Sequence, residues 1–320
     1  MNRSEGRIAV DRARQVRDAV ELPLRAASQL VFQDHPLSGV LFLASVFVNS
    51  VTAGVAAVVG MASAILTAYA AGADRDLIRG GFFGFNGFFL GLGVPFFLGI
   101  HPMIWPCILF GGAATTFVTL AIAGVLRPWS LPVLTAPFIV VLWAVILAGA
   151  GFEGVARAAA SSAVVAPSPG NWEGAGILGF AASSTLRSAG QIFFQDSAVS
   201  GALVLAGVAV GSRAAGAVAA LGAVCGVVTA FALGGNRELI QQGVYGYNAC
   251  LSAVAVGCVF LGVSVRSVAL GLVAAGIATV LTPVCAALLG GWHLPVVSIP
   301  FTLATWLVLV AEKGMLDRKG

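Results

Sequence analysis

Hydrophobic residues in this chain come in long unbroken runs, and the few charged residues separate them. No Asp, Glu, Lys or Arg occurs within 36–72, 80–126, 128–152, 197–212, 214–236, 239–265 or 267–311. Each run has room for one or two helices of the ~20 residues that a bilayer core demands. The alternation of period two that marks membrane β-strands is missing, so helices are the spanning elements. We read spans at 36–50, 54–71, 82–98, 103–125 and 134–151, then at 198–211, 214–233, 244–262, 267–289 and 295–311. The pattern predicts an all-α integral membrane protein of ten spans, five in each half. The first span of each half is short, and residues 28–35 and 190–197 are expected to extend it as broken or re-entrant pieces.

The polar and small residues that interrupt the runs repeat. Gly81-Phe-Phe-Gly-Phe-Asn-Gly87 is answered half a chain length later by Gly243-Val-Tyr-Gly-Tyr-Asn-Ala249. Gln29-Leu-Val-Phe-Gln-Asp34 returns as Gln191-Ile-Phe-Phe-Gln-Asp196 at the same spacing, and Leu131-Pro-Val-Leu-Thr-Ala-Pro-Phe138 as Leu294-Pro-Val-Val-Ser-Ile-Pro-Phe301 at a spacing one position longer. Three motifs in one order mark a duplication. An odd number of spans per copy makes the two copies face opposite ways, and in such inverted repeats the substrate path lies between them.

Composition fixes the solvent. With 59% hydrophobic and 9% charged residues among 320, and a mean hydropathy of +0.98, the chain is suited to lipid. The basic residues test the span count. With the N-terminus cytoplasmic, 14 of the 17 Lys and Arg fall inside and only Arg157, Arg187 and Arg237 fall outside, as the positive-inside rule requires. The expected layout is a cytoplasmic segment at 1–24, a first repeat at 25–153, a linker at 154–186, a second repeat at 187–312 and a cytoplasmic tail at 313–320. The N-terminal segment lacks the apolar run of a signal peptide and is read as retained. Both termini are then cytoplasmic, and the short loops suit a multi-pass protein of a bacterial inner membrane.

Little in the chain can carry chemistry. The five cysteines are odd in number, lie in apolar spans without paired spacing, and read as packing residues. His35, His101 and His293 sit at span ends. No mid-span residue is titratable in the manner of pumps and ion-coupled carriers, no nucleotide-binding loop or catalytic constellation is visible, and no cofactor or nucleic-acid partner is implied. A neutral solute moving passively fits these absences. Two channel classes fit poorly: there is no Asn-Pro for the paired boxes of aquaporin-like proteins, and no deep histidine of the kind that lines ammonium channels.

The paired Leu131–Phe138 and Leu294–Phe301 motifs resemble the duplicated Leu-Pro-x-x-Thr-x-Pro-Phe signature of the urea transporter family. The Gly84-Phe-Asn-Gly87, Gly246-Tyr-Asn-Ala249 and paired Gln-x-x-Phe-Gln motifs are similar to that family's pore elements, and the resemblance runs from about residue 25 to 312. It implies a channel-like homotrimer with one pore per subunit, passing urea down its gradient. The resemblance puts Thr135 and Ser298 at the pore centre and Gln29 and Gln191 at its mouths. It puts Phe32 and Phe85 on the aromatic slot of the first half, with Ile192 and Tyr247 near the corresponding places of the second.

Physical chemistry leads to the same kind of site. Urea is flat, neutral and polar, with four N–H donors and one carbonyl, so it needs apolar walls and edge acceptors that replace its lost water. Phe32, Phe85, Phe89, Phe194, Tyr245 and Tyr247 are candidate walls. Gln29, Thr135, Gln191 and Ser298 are candidate edge acceptors. Pro132, Pro137, Pro295 and Pro300 break helices and are expected to free carbonyls toward a cavity. Asn86 and Asn248 are read as binding backbone at a helix break, and Gly87, Gly91 and Gly93 as packing residues. The rival readings are a channel for short amides, ammonia or water on the same scaffold, and a membrane enzyme or structural subunit.

Overall fold

The structure, a computed structural model, describes residues 21–152, 155 and 176–316. Residues 1–20 of the predicted N-terminal segment, residues 153–154 and 156–175 in and beside the predicted linker at 154–186, and the last four residues lie outside the described residues. Every regular element described is a helix. The first half comprises α1 (Glu21–Val31), α2 (Pro36–Phe47), α3 (Val51–Ala70), α4 (Arg75–Arg79), α5 (Gly84–Leu98), α6 (Ile104–Leu126) and α7 (Ala136–Gly151). The second comprises α8 (Gly176–Gln191), α9 (Ala198–Gly211), α10 (Arg213–Ala232), α11 (Arg237–Gln241), α12 (Gly246–Val254), α13 (Val265–Gly290) and α14 (Ile299–Leu316).

Each predicted span holds one of these helices. Val51–Ala70, Ile104–Trp129, Arg213–Ala232 and Val265–Gly290 are long and apolar enough to cross a bilayer unaided, and α1 with α2 form a pair bent by 74°. Their outer faces carry bare apolar side chains such as Phe110, Phe117, Val228 and Leu288, which only lipid or another apolar surface tolerates. This is an integral membrane protein. Helix α8 is already formed at Gly176, within the stretch that the sequence assigns to the linker. Its Phe180 is buried with Val227 of α10 and Ile240 of α11. Those packing partners are distant along the chain, so local composition carried no sign of the contact.

The local signals are duplicated with the helices. Ser50 and Ser212 are equivalent N-caps, accepting from the amides of Ala53 and Ala215 at 3.2 Å each. Asp74 and Asn236 cap α4 and α11 in the same way. Among the described residues, the non-glycine positions with positive φ fall into three equivalent pairs: Phe32 with Phe194, Ser130 with His293, and Leu134 with Val297. The α5 and α12 helices are disturbed at one place by different means. Pro95 sits inside α5, whereas α12 runs into a π-turn over Ala255–Phe260, and proline and a π-turn each disrupt the i→i−4 ladder.

Contacts between the halves are reciprocal. Trp143 Nε1 of α7 donates to the Pro295 carbonyl at 2.9 Å, and its equivalent Trp306 of α14 donates to the Pro132 carbonyl at 2.8 Å. Phe32 packs edge-on to Phe301 with centroids 6.1 Å apart, and Phe194 packs against Phe138 at 6.3 Å. When residue i of one copy meets j of the other and the converse also holds, the copies are related by a two-fold operation. Around that relation Phe42, Phe88, Phe89, Phe138 and Phe193 form a buried aromatic core.

Close helix crossings depend on glycine. A Cβ on Gly39 would overlap the Leu24 carbonyl, and one on the equivalent Gly201 would overlap the Leu186 carbonyl. Gly87 and Gly91 of α5 stand in the same way against the Gly60 and Ala56 carbonyls of α3, while Gly93 faces the Leu142 side chain. Because backbone atoms cannot rotate aside, Gly39→Ala and Gly201→Ala should each lower stability by about 1–3 kcal/mol. Thermal unfolding of the detergent-solubilised variants measures this, with Gly276→Ala, which meets open space, expected to melt as wild type.

Candidate functional site

The two Leu-Pro motifs lead into α7 and α14, whose first turns lie in the protein interior. An α-helix begins with N–H groups that have no partner in the preceding turn, and burial makes each one costly. Here all are satisfied, identically in both halves. The amide of Ala136 donates to Val133 O at 3.2 Å and that of Ile299 to Val296 O at 3.3 Å. Pro137 and Pro300 have no N–H. The amides of Ile139 and Thr302 donate to the carbonyls of Thr135 and Ser298 at 3.0 and 3.1 Å. The remaining amides, of Phe138 and Phe301, donate to Asn86 Oδ1 at 3.1 Å and Asn248 Oδ1 at 3.3 Å.

The asparagines therefore act as caps supplied from neighbouring helices, as the sequence reading expects. Each is fully buried and also donates its Nδ2 to a motif carbonyl, Leu134 O at 3.4 Å or Val297 O at 3.3 Å. Thr135 occupies the N-cap position of α7 yet makes no capping bond. Its hydroxyl is released for other contacts. Ser298 Oγ donates to Thr135 Oγ1 at 2.8 Å, and two equivalent residues that touch each other lie on the two-fold relation. Thr302, one turn into α14, approaches Thr135 Oγ1 at 3.2 Å. All three hydroxyl residues are buried.

The motif carbonyls form no free ladder. Those of Pro132, Leu134, Pro295 and Val297 already accept from Trp306, Asn86, Trp143 and Asn248. Those of Pro132, Leu134 and Pro295 keep a second lone pair, whereas Val297 O also accepts from the Tyr247 hydroxyl. The prolines shape the turn, and indole and amide donors then stiffen it.

Beside this centre lies a cavity of about 350 Å³ whose walls include Gln191, Phe194, Tyr247, Phe96, Phe97 and the Pro295 to Val297 stretch. The Phe194 ring lies 5.1 Å from that of Phe96, tilted by 37°, and 5.8 Å from that of Phe97 at 87°. Phe194 sits in the break between α8 and α9 with φ +60°. Its amide donates to Gln191 O at 3.0 Å and that of Gln195 to Gly190 O at 3.1 Å, while Gln195 Nε2 caps the Phe193 carbonyl at 2.8 Å. Arg187 and Asp196 close the break as an ion pair. Asp196 also lines the cavity, so the mouth carries a carboxylate already balanced by a guanidinium. Tyr247 donates its hydroxyl proton to the Val297 carbonyl, so it offers the cavity its ring and no donor.

The first half reproduces the frame. Phe32 lies in the α1–α2 break with φ +58°, 5.9 Å from Phe260 and 6.1 Å from Phe301. Arg25 Nη1 holds Asp34 at 3.0 Å, and Gln33 Nε2 caps Val31 O at 2.8 Å. Gln29 and Phe85 are half-buried, Phe85 against the core.

Three sequence-predicted site residues stand elsewhere. Ile192 is buried in the core, 3% exposed, and the second-half counterpart of Phe32 at the repeat spacing is Phe194. Phe89 is buried among Phe88, Phe138 and Phe193. Tyr245 packs against the cluster of Phe180, Val227 and Ile240. Two residues along a helix are about 200° apart around its axis, so Tyr245 cannot share the face of Tyr247. Reading by repetition also missed Phe96, Phe97 and Thr302. Their counterparts in the other copy are Cys258, Val259 and Ile139, which carry neither ring nor hydroxyl. Among the described residues no cluster of His, Cys, Asp or Glu could hold a metal ion.

Comparison with known proteins supplies a relation for this geometry. Residues 20–313 match the family described as "Urea transporter". "Urea transporter 1" of Ovis aries is 27% identical over 295 residues, covering 91% of this chain and 76% of the relative. "Urea transporter 1" of Mus musculus is 28% identical over 292 residues, covering 90% and 75%.

Replacing either capping asparagine leaves a buried amide without an acceptor. Asn86→Ala and Asn248→Ala should each destabilise the fold by about 1–3 kcal/mol. Detergent melting curves measure the loss, and equal losses in the two halves are expected because the two caps are built alike.

Proposed function

The chain belongs to the urea transporter family, and we propose that it passes urea passively, down its gradient, through a narrow passage beside the paired hydroxyls of Thr135 and Ser298. The observation that carries this reading is the released hydroxyl pair itself. Buried helix starts usually consume a Thr or Ser at the N-cap; here Asn86 and Asn248 take that duty. A polar planar solute that sheds its water loses several kcal/mol unless its amide groups find partners. Hydroxyl oxygens at the centre and the Gln29 and Gln191 amides toward the two ends provide partners. Rings of Phe32, Phe85, Phe194 and Tyr247 supply apolar walls for its faces.

No bond is made or broken in this reading; the protein replaces hydration and fixes orientation. The copies lie inverted in the membrane, consistent with the two-fold contacts and with the 14-to-3 division of basic residues. Ten spans then put both termini in the cytoplasm, in the inner membrane of a bacterial cell. We further propose a homotrimer surrounded by lipid, each subunit carrying its own passage, since the outer faces of α6 and α13 remain apolar and exposed.

Isotopic urea uptake into proteoliposomes tests the function, with acceleration over empty vesicles expected and equal rates ruling it out. Competition by formamide, ammonia and water separates a urea path from a general small-solute channel. Thr135→Val keeps shape and removes the hydroxyl, so urea flux should fall by about tenfold; unchanged flux removes Thr135 from the passage.

A further inference from the structure

We propose that Thr302 is a positioning residue for the passage: by accepting the one hydroxyl proton of Thr135, it turns the central pair into a set of lone pairs that receives solute N–H groups and offers no donor to a solute carbonyl. The inference rests on the reading that urea passes beside Thr135 and Ser298, and it names what that site selects.

Counting hydroxyl protons assigns the direction of each hydrogen bond, the Thr135–Thr302 contact being open either way by distance alone. A hydroxyl has one proton and two lone pairs. Thr302 Oγ1 donates to the Ser298 carbonyl at 3.1 Å, the back-bond that a helical threonine makes to the residue four before it. Its proton is thereby used. The 3.2 Å contact between Thr135 Oγ1 and Thr302 Oγ1 then runs one way only, from Thr135 to Thr302. Ser298 Oγ donates to Thr135 Oγ1 at 2.8 Å, which closes the chain. All three protons stay within the protein. Two lone pairs of Ser298 Oγ and one of Thr135 Oγ1 are left over, and all are acceptors.

The two-fold relation makes this polarity one-sided. The equivalent of Thr302 is Ile139, a buried residue with no hydroxyl. A strictly symmetric pair would let either hydroxyl donate to the other and leave one proton free for the solute. With a proton acceptor on the Thr135 side alone, the relay has a single direction. Solutes rich in N–H are then favoured over those that rely on their carbonyl.

The test compares urea, with four N–H donors, and acetamide, with two, in proteoliposomes of the full chain. Wild type is expected to accelerate urea over empty vesicles; failure there overturns the urea reading and this inference with it. Thr302→Val, which preserves shape, should lower the urea-to-acetamide permeability ratio by about five- to tenfold. Thr302→Ser, which keeps the hydroxyl, should hold the ratio near wild type. The double variant Thr302→Val with Ile139→Thr moves the proton acceptor to the Ser298 side of the pair and should restore the ratio. If Thr302→Val retains the wild-type ratio, even with total flux reduced, Thr302 serves only to support its helix and the inference is wrong. A lowered ratio that Ile139→Thr leaves unrestored overturns it equally.

Discussion

Two helices that begin in the interior of the protein present amides that nothing in their own chain direction can satisfy, and the rest of the structure depends on how those amides are paired. An unpaired buried N–H costs about 1–3 kcal/mol. Asn86 and Asn248 supply the missing acceptors from neighbouring helices, and Pro137 and Pro300 delete one donor in each helix. With the backbone satisfied in this way, the N-cap hydroxyls of Thr135 and Ser298 face each other. A polar contact between equivalent residues of the two repeats results. The broken helices serve the same end, because the bend between α1 and α2 and the corresponding break before α9 bring Phe32 and Phe194 in against the first turns of α14 and α7.

The duplication explains both the regularity of this arrangement and its departures. Features of the frame recur: the left-handed residues, the Gly39 and Gly201 crossings, the asparagine caps, the arginine–aspartate clips and the tryptophan bonds come in pairs, although Gly87 and Gly91 answer to Ala249 and Ala253. Other side chains have diverged, even where one of them meets the other copy, as Thr302 meets Thr135. Pro95 of α5 answers to a π-turn in the second half, Phe97 to Val259 and Ile139 to Thr302. A change on the backbone frame would break a bond in both copies' shared interface, whereas a change of side chain on a wall alters only what that wall presents. The two halves can therefore present different side chains while the frame remains two-fold.

Much of the fold was legible because lipid leaves so few options. Charge-free runs marked the helices, and the spacing of repeated motifs marked their pairing. The role of Asn86 and Asn248 was legible too, since an amide beside a helix break has obvious backbone partners. Ile192, Phe89 and Tyr245 show the limit. Each lies close in the chain to a motif residue, yet other helices surround it: Ile192 sits in the core, Phe89 among Phe138 and Phe193, and Tyr245 against Phe180, Val227 and Ile240. Phe96 and Thr302 show a second limit, because a search by repetition finds only what both copies kept.

The sequence by itself determined the solvent, the helices, the duplication and the family, because each is written in local composition or in motif spacing. Tertiary structure alone decided which hydroxyls are free, since freedom depends on whether a distant asparagine has already satisfied the nearest amide. It also decided which rings meet across the two halves and that Thr302 lies within reach of the Thr135 hydroxyl. Those outcomes depend on contacts such as Asn86 with Phe138 and Thr135 with Thr302, between residues far apart in the chain, and only the packed helices bring such residues within hydrogen-bonding reach.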